Sequence, residues 1–122
     1  MLKMTPAPVA LPAVPGPFSV HFATNSSAID SENGKVIVEA AGGFAKAKAK
    51  TIVLSGHTDA VGNNAANVAL SERRADTVKA ALIDLGVPAS AISTTYAGEA
   101  QLKVKVPTAE KQNRRVEIML SR

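Results

Sequence analysis

Residues 51–88 read TIVLSGHTDAVGNNAANVALSERRADTVKAALIDLGVP, and the change of period inside this stretch decides the fold. Thr51 to Ser55 is a short run rich in β-branched residues that stops at Gly56, which predicts a strand. From Asn63 to Leu85 apolar residues recur at helical intervals, and Gly86 followed by Pro88 closes the helix. At about 100° per residue, Asn67, Leu70, Ser71, Arg74, Val78, Leu82 and Leu85 form one stripe. Glu72, Arg73, Asp76 and Lys79 point elsewhere.

Arg74 therefore sits in the middle of the inward face, while its neighbour Arg73 faces solvent. A guanidinium buried there carries a heavy desolvation cost, so it requires an internal carboxylate or a ligand carboxylate, for which its planar fork is suited. Snorkelling or a purely internal salt bridge are the structural alternatives. Asp59 lies in the loop between the strand end and the first helical turns, a place where ligands collect beside exposed backbone N–H groups. Helix capping alone is the simpler role for that carboxylate.

Outward from this unit, Phe18, Val20 and Phe22 alternate with Ser19, His21 and Ala23, predicting a half-buried strand. Asp30 or Ser31 can cap a following helix that carries Ile37, Ala40, Ala41 and Phe44. Gly34, Gly42 and Gly43 weaken it and predict frayed or kinked ends. A third strand is expected near Ile92 to Tyr96, then a loop with Gly98, Lys103, Lys105 and Pro107, and a last strand from Arg115 to Leu120. The order β-α-β-α-β-β predicts an α+β domain, a two-layer sandwich with a mixed four-stranded sheet and helices on one face.

Residues 1–17 hold five of the seven prolines, at Pro6, Pro8, Pro12, Pro15 and Pro17. They read as a proline-rich linker or tail ahead of one domain over 18–122. A chain of 122 residues with 46% apolar residues can close a single core. The charge of +4 invites an anionic partner, but three Phe, one Tyr and no Trp offer little for base stacking, so nucleic acid is disfavoured. With no cysteine there is no disulfide framework and no thiolate metal site. No stretch approaches the length of a membrane span, so any membrane contact is expected through an anchor outside the chain.

The segment Gly56-His57-Thr58-Asp59, then Gly62, then Asn67-x-x-Leu70-Ser71-x-x-Arg74-Ala75-x-x-Val78-x-x-x-Leu82, resembles the signature of the OmpA C-terminal domain, shared with peptidoglycan-associated lipoproteins and MotB. Tyr96, Gly98 and Glu99, and the terminal Asn113-Arg114-Arg115-Val116-Glu117-Ile118, resemble the same pattern, which covers about Phe18 to Ser121. The resemblance implies a non-enzymatic periplasmic domain of a Gram-negative envelope that holds peptidoglycan through the diaminopimelate of its stem peptide. Asp59 would take the ligand's ammonium and Arg74 its carboxylate, with Asn25, Thr58, Asn67, Leu70 and Ser71 lining the pocket. It implies no cofactor and no metal, and homodimers occur among its members.

Two departures from the pattern bear on the rim of the site. Ala23 stands where the family often has an acidic residue, and Pro107 to Gln112 is short and lacks an arginine that relatives carry. They motivate the alternative of an OmpA-like protein-interaction domain that has lost wall binding. Ser55, His57 and Asp59 spell the residue types of a hydrolytic triad, but alternate residues on one strand do not form its chain of hydrogen bonds. His57 is expected to be a structural histidine with its hydrogen bonds satisfied. Arg114 and Arg115 should point to opposite faces, one as a surface charge and the other packed under the site.

Overall fold

A computed structural model describes residues 13–59, 63–98 and 110–122. Four strands and two helices follow in the expected order: β1 (Phe18–His21), α1 (Ser31–Lys46), β2 (Thr51–His57), α2 (Asn64–Asp84), β3 (Ile92–Gly98) and β4 (Arg115–Ser121). Short 3₁₀ turns at Ala89–Ala91 and Lys111–Asn113 were not foreseen. The expected loop with Lys103, Lys105 and Pro107, the motif residues Gly62 and Glu99, and most of the proline-rich segment lie outside the described residues.

The sheet order is β1-β4-β2-β3. β4 pairs antiparallel with both β1 and β2, whereas β2 and β3 are parallel and joined through α2. This is the mixed sheet of an α+β fold. Ile52 and Leu54 of β2 and Val116, Ile118 and Leu120 of β4 are buried, and they form one core with Ile37 and Ala40 of α1 and Val78 and Leu82 of α2. Met119, on the opposite parity of β4, is exposed. Alternation in the strands and a helical stripe thus meet in one apolar layer.

β2 does not stop at Gly56. It runs on to His57, with Gly56 paired to Val116 on one side and Tyr96 on the other. The glycine serves close approach: a β-carbon there would collide with the Ser71 carbonyl of α2. Strand and helix are in contact where their motifs sit.

The helix ends follow local chemistry. Asp30 caps α1 by accepting from the Asn33 amide, and Asn63 caps α2 by accepting from the amides of Ala65 and Ala66. Asp59 is therefore not the cap of α2. At the other end Gly86 adopts φ +99°, and the amides of Gly86 and Val87 bond back to the carbonyls of Ile83 and Leu82. This is a Schellman stop, and it corrects one core assignment. Leu85 has left the helical stripe and is 47% exposed, while Val87 folds back into the core in its place.

α1 is continuous through Gly34, Gly42 and Gly43. Gly43 has a packing reason: a β-carbon there would lie 2.6 Å from Cγ of Pro15. Val14 also packs against the core, so the last residues of the proline-rich segment rest on the domain.

Candidate functional site

β2 delivers His57, Thr58 and Asp59 to the end of the sheet, and the first turns of α2 rise beside them. Between this junction and the loop after β1 lies a cavity of about 220 Å³. Asp59 and Arg74 both line it. Asn25 and Thr24 form the wall from the β1–α1 loop, and Asn63, Ala66, Asn67 and Leu70 form the wall from α2.

Arg74 is fully buried, at 0% exposure. Its Nε donates to the Ser26 carbonyl at 2.8 Å, Nη1 to the His57 carbonyl at 3.0 Å and Nη2 to the Ala23 carbonyl at 3.1 Å. The guanidinium also stacks over the Phe22 ring, 5.2 Å from its centroid. It is hydrogen-bonded by backbone alone and makes no ion pair among the described residues. Burial pushes its pKa down to about 10, the charges of Arg114 and Arg73 add to that, and the Asp59 charge opposes it. Arg74 remains a cation at neutral pH. Each terminal nitrogen of an arginine carries a second N–H, so carbonyl bonding leaves donors for a ligand.

Ala23 meets Arg74 through its backbone carbonyl, a contact that does not depend on the side chain at this position. Asn25, with φ +52°, turns the loop so that the carbonyls of Ala23 and Ser26 face inward.

Asp59 is also buried, but its close partner is Arg114. Oδ2 accepts from Arg114 Nη1 at 3.0 Å and from the Glu110 amide at 3.4 Å. Arg114 Nε donates to the Phe22 carbonyl at 2.9 Å, so one side chain ties Asp59 to the end of β1. Neither terminal arginine is a surface charge, which corrects the expectation from strand alternation. The Arg114 side chain is 13% exposed and Arg115 pairs with Glu117 at 3.1 Å. Alternation does not govern Arg114, because it ends the Lys111–Asn113 turn ahead of β4.

The other expected residues separate into two groups. Asn25, Asn67 and Leu70 line the cavity, and Asn67 Nδ2 also reaches the Asp59 carbonyl at 3.4 Å. Thr58 and Ser71 are buried beside it and turn to backbone: Thr58 Oγ1 to the Asp59 carbonyl at 3.0 Å, Ser71 Oγ to the Val68 carbonyl at 2.7 Å. Arg114 is the residue whose role sequence reasoning missed. The only signal was its place in Asn113-Arg114-Arg115, which does not reveal a partner far away in sequence.

His57 is 1% exposed, and among the described residues neither ring nitrogen has a hydrogen-bond partner, so the expected satisfied histidine is not seen there. Glu117 Oε2 lies 3.8 Å from Nε2, beyond hydrogen-bond range. Burial, then the Arg115 charge, lower its pKa to about 4, with Glu117 opposing. The ring is neutral at pH 7. No group of three or more metal-ligating side chains occurs among the described residues.

The class defined by this architecture is a two-layer α+β domain in which a small cavity, where a β-strand meets the start of a helix, is lined by a buried guanidinium and a buried carboxylate. The chain belongs to the OmpA family, whose model matches residues 21–115. It is 35% identical over 118 residues to outer membrane protein A of Bordetella avium, covering 95% of this chain and 60% of that protein. It is 36% identical over 107 residues to the probable lipoprotein YiaD of Escherichia coli, covering 86% and 49% respectively. The chain thus spans about half the length of these relatives. In fold it matches the peptidoglycan-associated lipoprotein of Burkholderia pseudomallei with a TM-score of 0.76 at 24% identity, over 85% of this chain and 90% of that one. Family membership places the chain among proteins of the bacterial cell envelope.

Proposed function

We propose that this domain binds peptidoglycan noncovalently in the periplasm through the diaminopimelate of the stem peptide, anchoring an envelope protein to the cell wall. The observation that carries this reading is Arg74, a fully buried guanidinium on a cavity wall that touches carbonyls and, among the described residues, no carboxylate. A ligand carboxylate completes its coordination, and Asp59 supplies the opposite charge for the ligand's ammonium. Asn25, Asn67 and Leu70 shape the pocket, while Thr58 and Ser71 hold the strand and helix that frame it. The activity is binding without catalysis or cofactor, and residues 1–17 act as the tether to the remainder of the envelope protein.

The test is sedimentation with diaminopimelate-type peptidoglycan together with amide shifts on titration with meso-diaminopimelate. Arg74→Ala should abolish binding, Asp59→Ala should weaken it, and Arg73→Ala should leave it unchanged. Because Arg74 also ties the β1–α1 loop, Ala66→Phe is the cleaner block. Ala66 is exposed and lines the cavity, so a ring there fills the pocket and leaves the helix intact. Equal sedimentation of the parent and Ala66→Phe would refute the reading. A folded parent that ignores the wall but retains a protein partner would support the alternative, an interaction domain that has lost wall binding.

A further inference from the structure

Among the described residues the charges around the cavity do not balance: two guanidiniums, Arg74 and Arg114, lie about one carboxylate, Asp59, and the carboxylate contacts Arg114. Glu110 is close by, but its carboxylate accepts from the Gln112 amide within its own turn. The first turn of α2 adds the positive end of a helix dipole on the side lined by Asn63, Ala66 and Asn67. Among the described residues the cavity thus has a surplus of positive potential beside Arg74, and its negative group is already engaged.

We propose that a free carboxylate is the dominant handle by which this cavity recognises its ligand, and that Arg114 is a positioning residue that sets this preference by neutralising Asp59 in advance. The inference rests on the wall-binding reading above and refines its specificity. An arriving carboxylate meets an uncompensated guanidinium in a partly desolvated site, where a charge-assisted bond is strongest. An arriving ammonium must share Asp59 with Arg114, so its net gain is small. Amidation of the diaminopimelate carboxylate, which removes the charge and hardly changes the shape, therefore switches binding off. Loss of the amine does not.

The experiment uses the 122-residue chain and three synthetic tetrapeptides of the form L-Ala, γ-D-Glu, X, D-Ala. X is meso-diaminopimelate with its side-chain amino-acid head free, the same residue with that carboxylate amidated, or 2-aminopimelate, which keeps the carboxylate and lacks the amine. Calorimetry should show a loss of about thirtyfold or more for the amide and less than about fivefold for 2-aminopimelate. An equal or greater loss for 2-aminopimelate overturns the inference and leaves the wall-binding reading standing. Absence of binding by the first peptide overturns both. In Arg114→Gln the Asp59 carboxylate loses its guanidinium and keeps its other contacts, the Glu110 amide among them, so the penalty for lacking the amine should grow severalfold relative to the parent. Uniform weakening of all three peptides would reduce Arg114 to a structural part and overturn its positioning role.

Discussion

Gly56 of β2 passes directly beneath the carbonyl of Ser71 on α2, so closely that the pair admits no β-carbon between strand and helix. This contact lowers α2 onto the sheet and allows Arg74, one turn further on, to reach the carbonyl of His57. The site depends on that approach.

Gly56→Ala should accordingly be among the most damaging small substitutions in the chain, costing about 3 kcal/mol or more because backbone must move. Gly42→Ala is the control: a β-carbon there meets nothing within 4 Å, so relief of glycine's helix penalty should stabilise by about 0.5–1 kcal/mol. Urea unfolding midpoints measure both, and a tolerated Gly56→Ala would contradict the packing described.

Arg74→Lys keeps the charge and loses the fork that serves three carbonyls. We expect loss of binding and about 2–4 kcal/mol of stability, since buried acceptors are stranded and the ammonium is poorly solvated. Arg73→Lys, on the exposed face, should change neither. A destabilised Arg74→Lys that still bound the wall normally would separate the structural from the ligand role.

Protonation of His57 opposes folding, because burial lowers its pKa to about 4 in the folded protein from the 6.5 of a free imidazole. As pH falls below 6.5 the unfolded chain takes up the proton first, so stability declines until pH reaches about 4 and loses no more to this group below that. The total is on the order of 3 kcal/mol. His57→Leu should be nearly neutral at pH 7.5, because no ring hydrogen bond is lost, and more stable than the parent at pH 4.5. Parallel decline of the two proteins with pH would count against this assignment.

Gly43→Ala places a methyl group against Pro15 and should lift residues 13–17 off α1 while changing stability by less than about 1 kcal/mol, since helix propensity improves. Limited proteolysis reads the result: cleavage near Val14 should become faster with an unaltered unfolding midpoint. Unchanged cleavage would mean the segment docks elsewhere.

Much of the fold is legible in local pattern. The caps at Asp30 and Asn63, the stop at Gly86 and the alternation in β1 and β4 are short-range effects written in neighbouring residues. Errors arose where a residue answers to a distant neighbour. Gly56 looks like a strand terminator and is instead a spacer for α2. Leu85 fits the helical stripe and is displaced once Gly86 reverses the chain. Arg114 and Arg115 look like alternating strand residues, yet Arg114 precedes the strand and crosses to Asp59.

The elements and the inward placement of Arg74 were set by the sequence alone, because each follows from periodicity and residue chemistry within a helix or strand, and the motifs that resemble the OmpA pattern are likewise read directly from it. Only the tertiary structure decided what surrounds that guanidinium: backbone carbonyls of Ala23, Ser26 and His57, and an Asp59 already held by Arg114. The bonded pairs among them lie up to 55 positions apart in sequence and meet through strand pairing and helix docking, so no local pattern encodes them. Their balance of charge is a property of the assembled cavity.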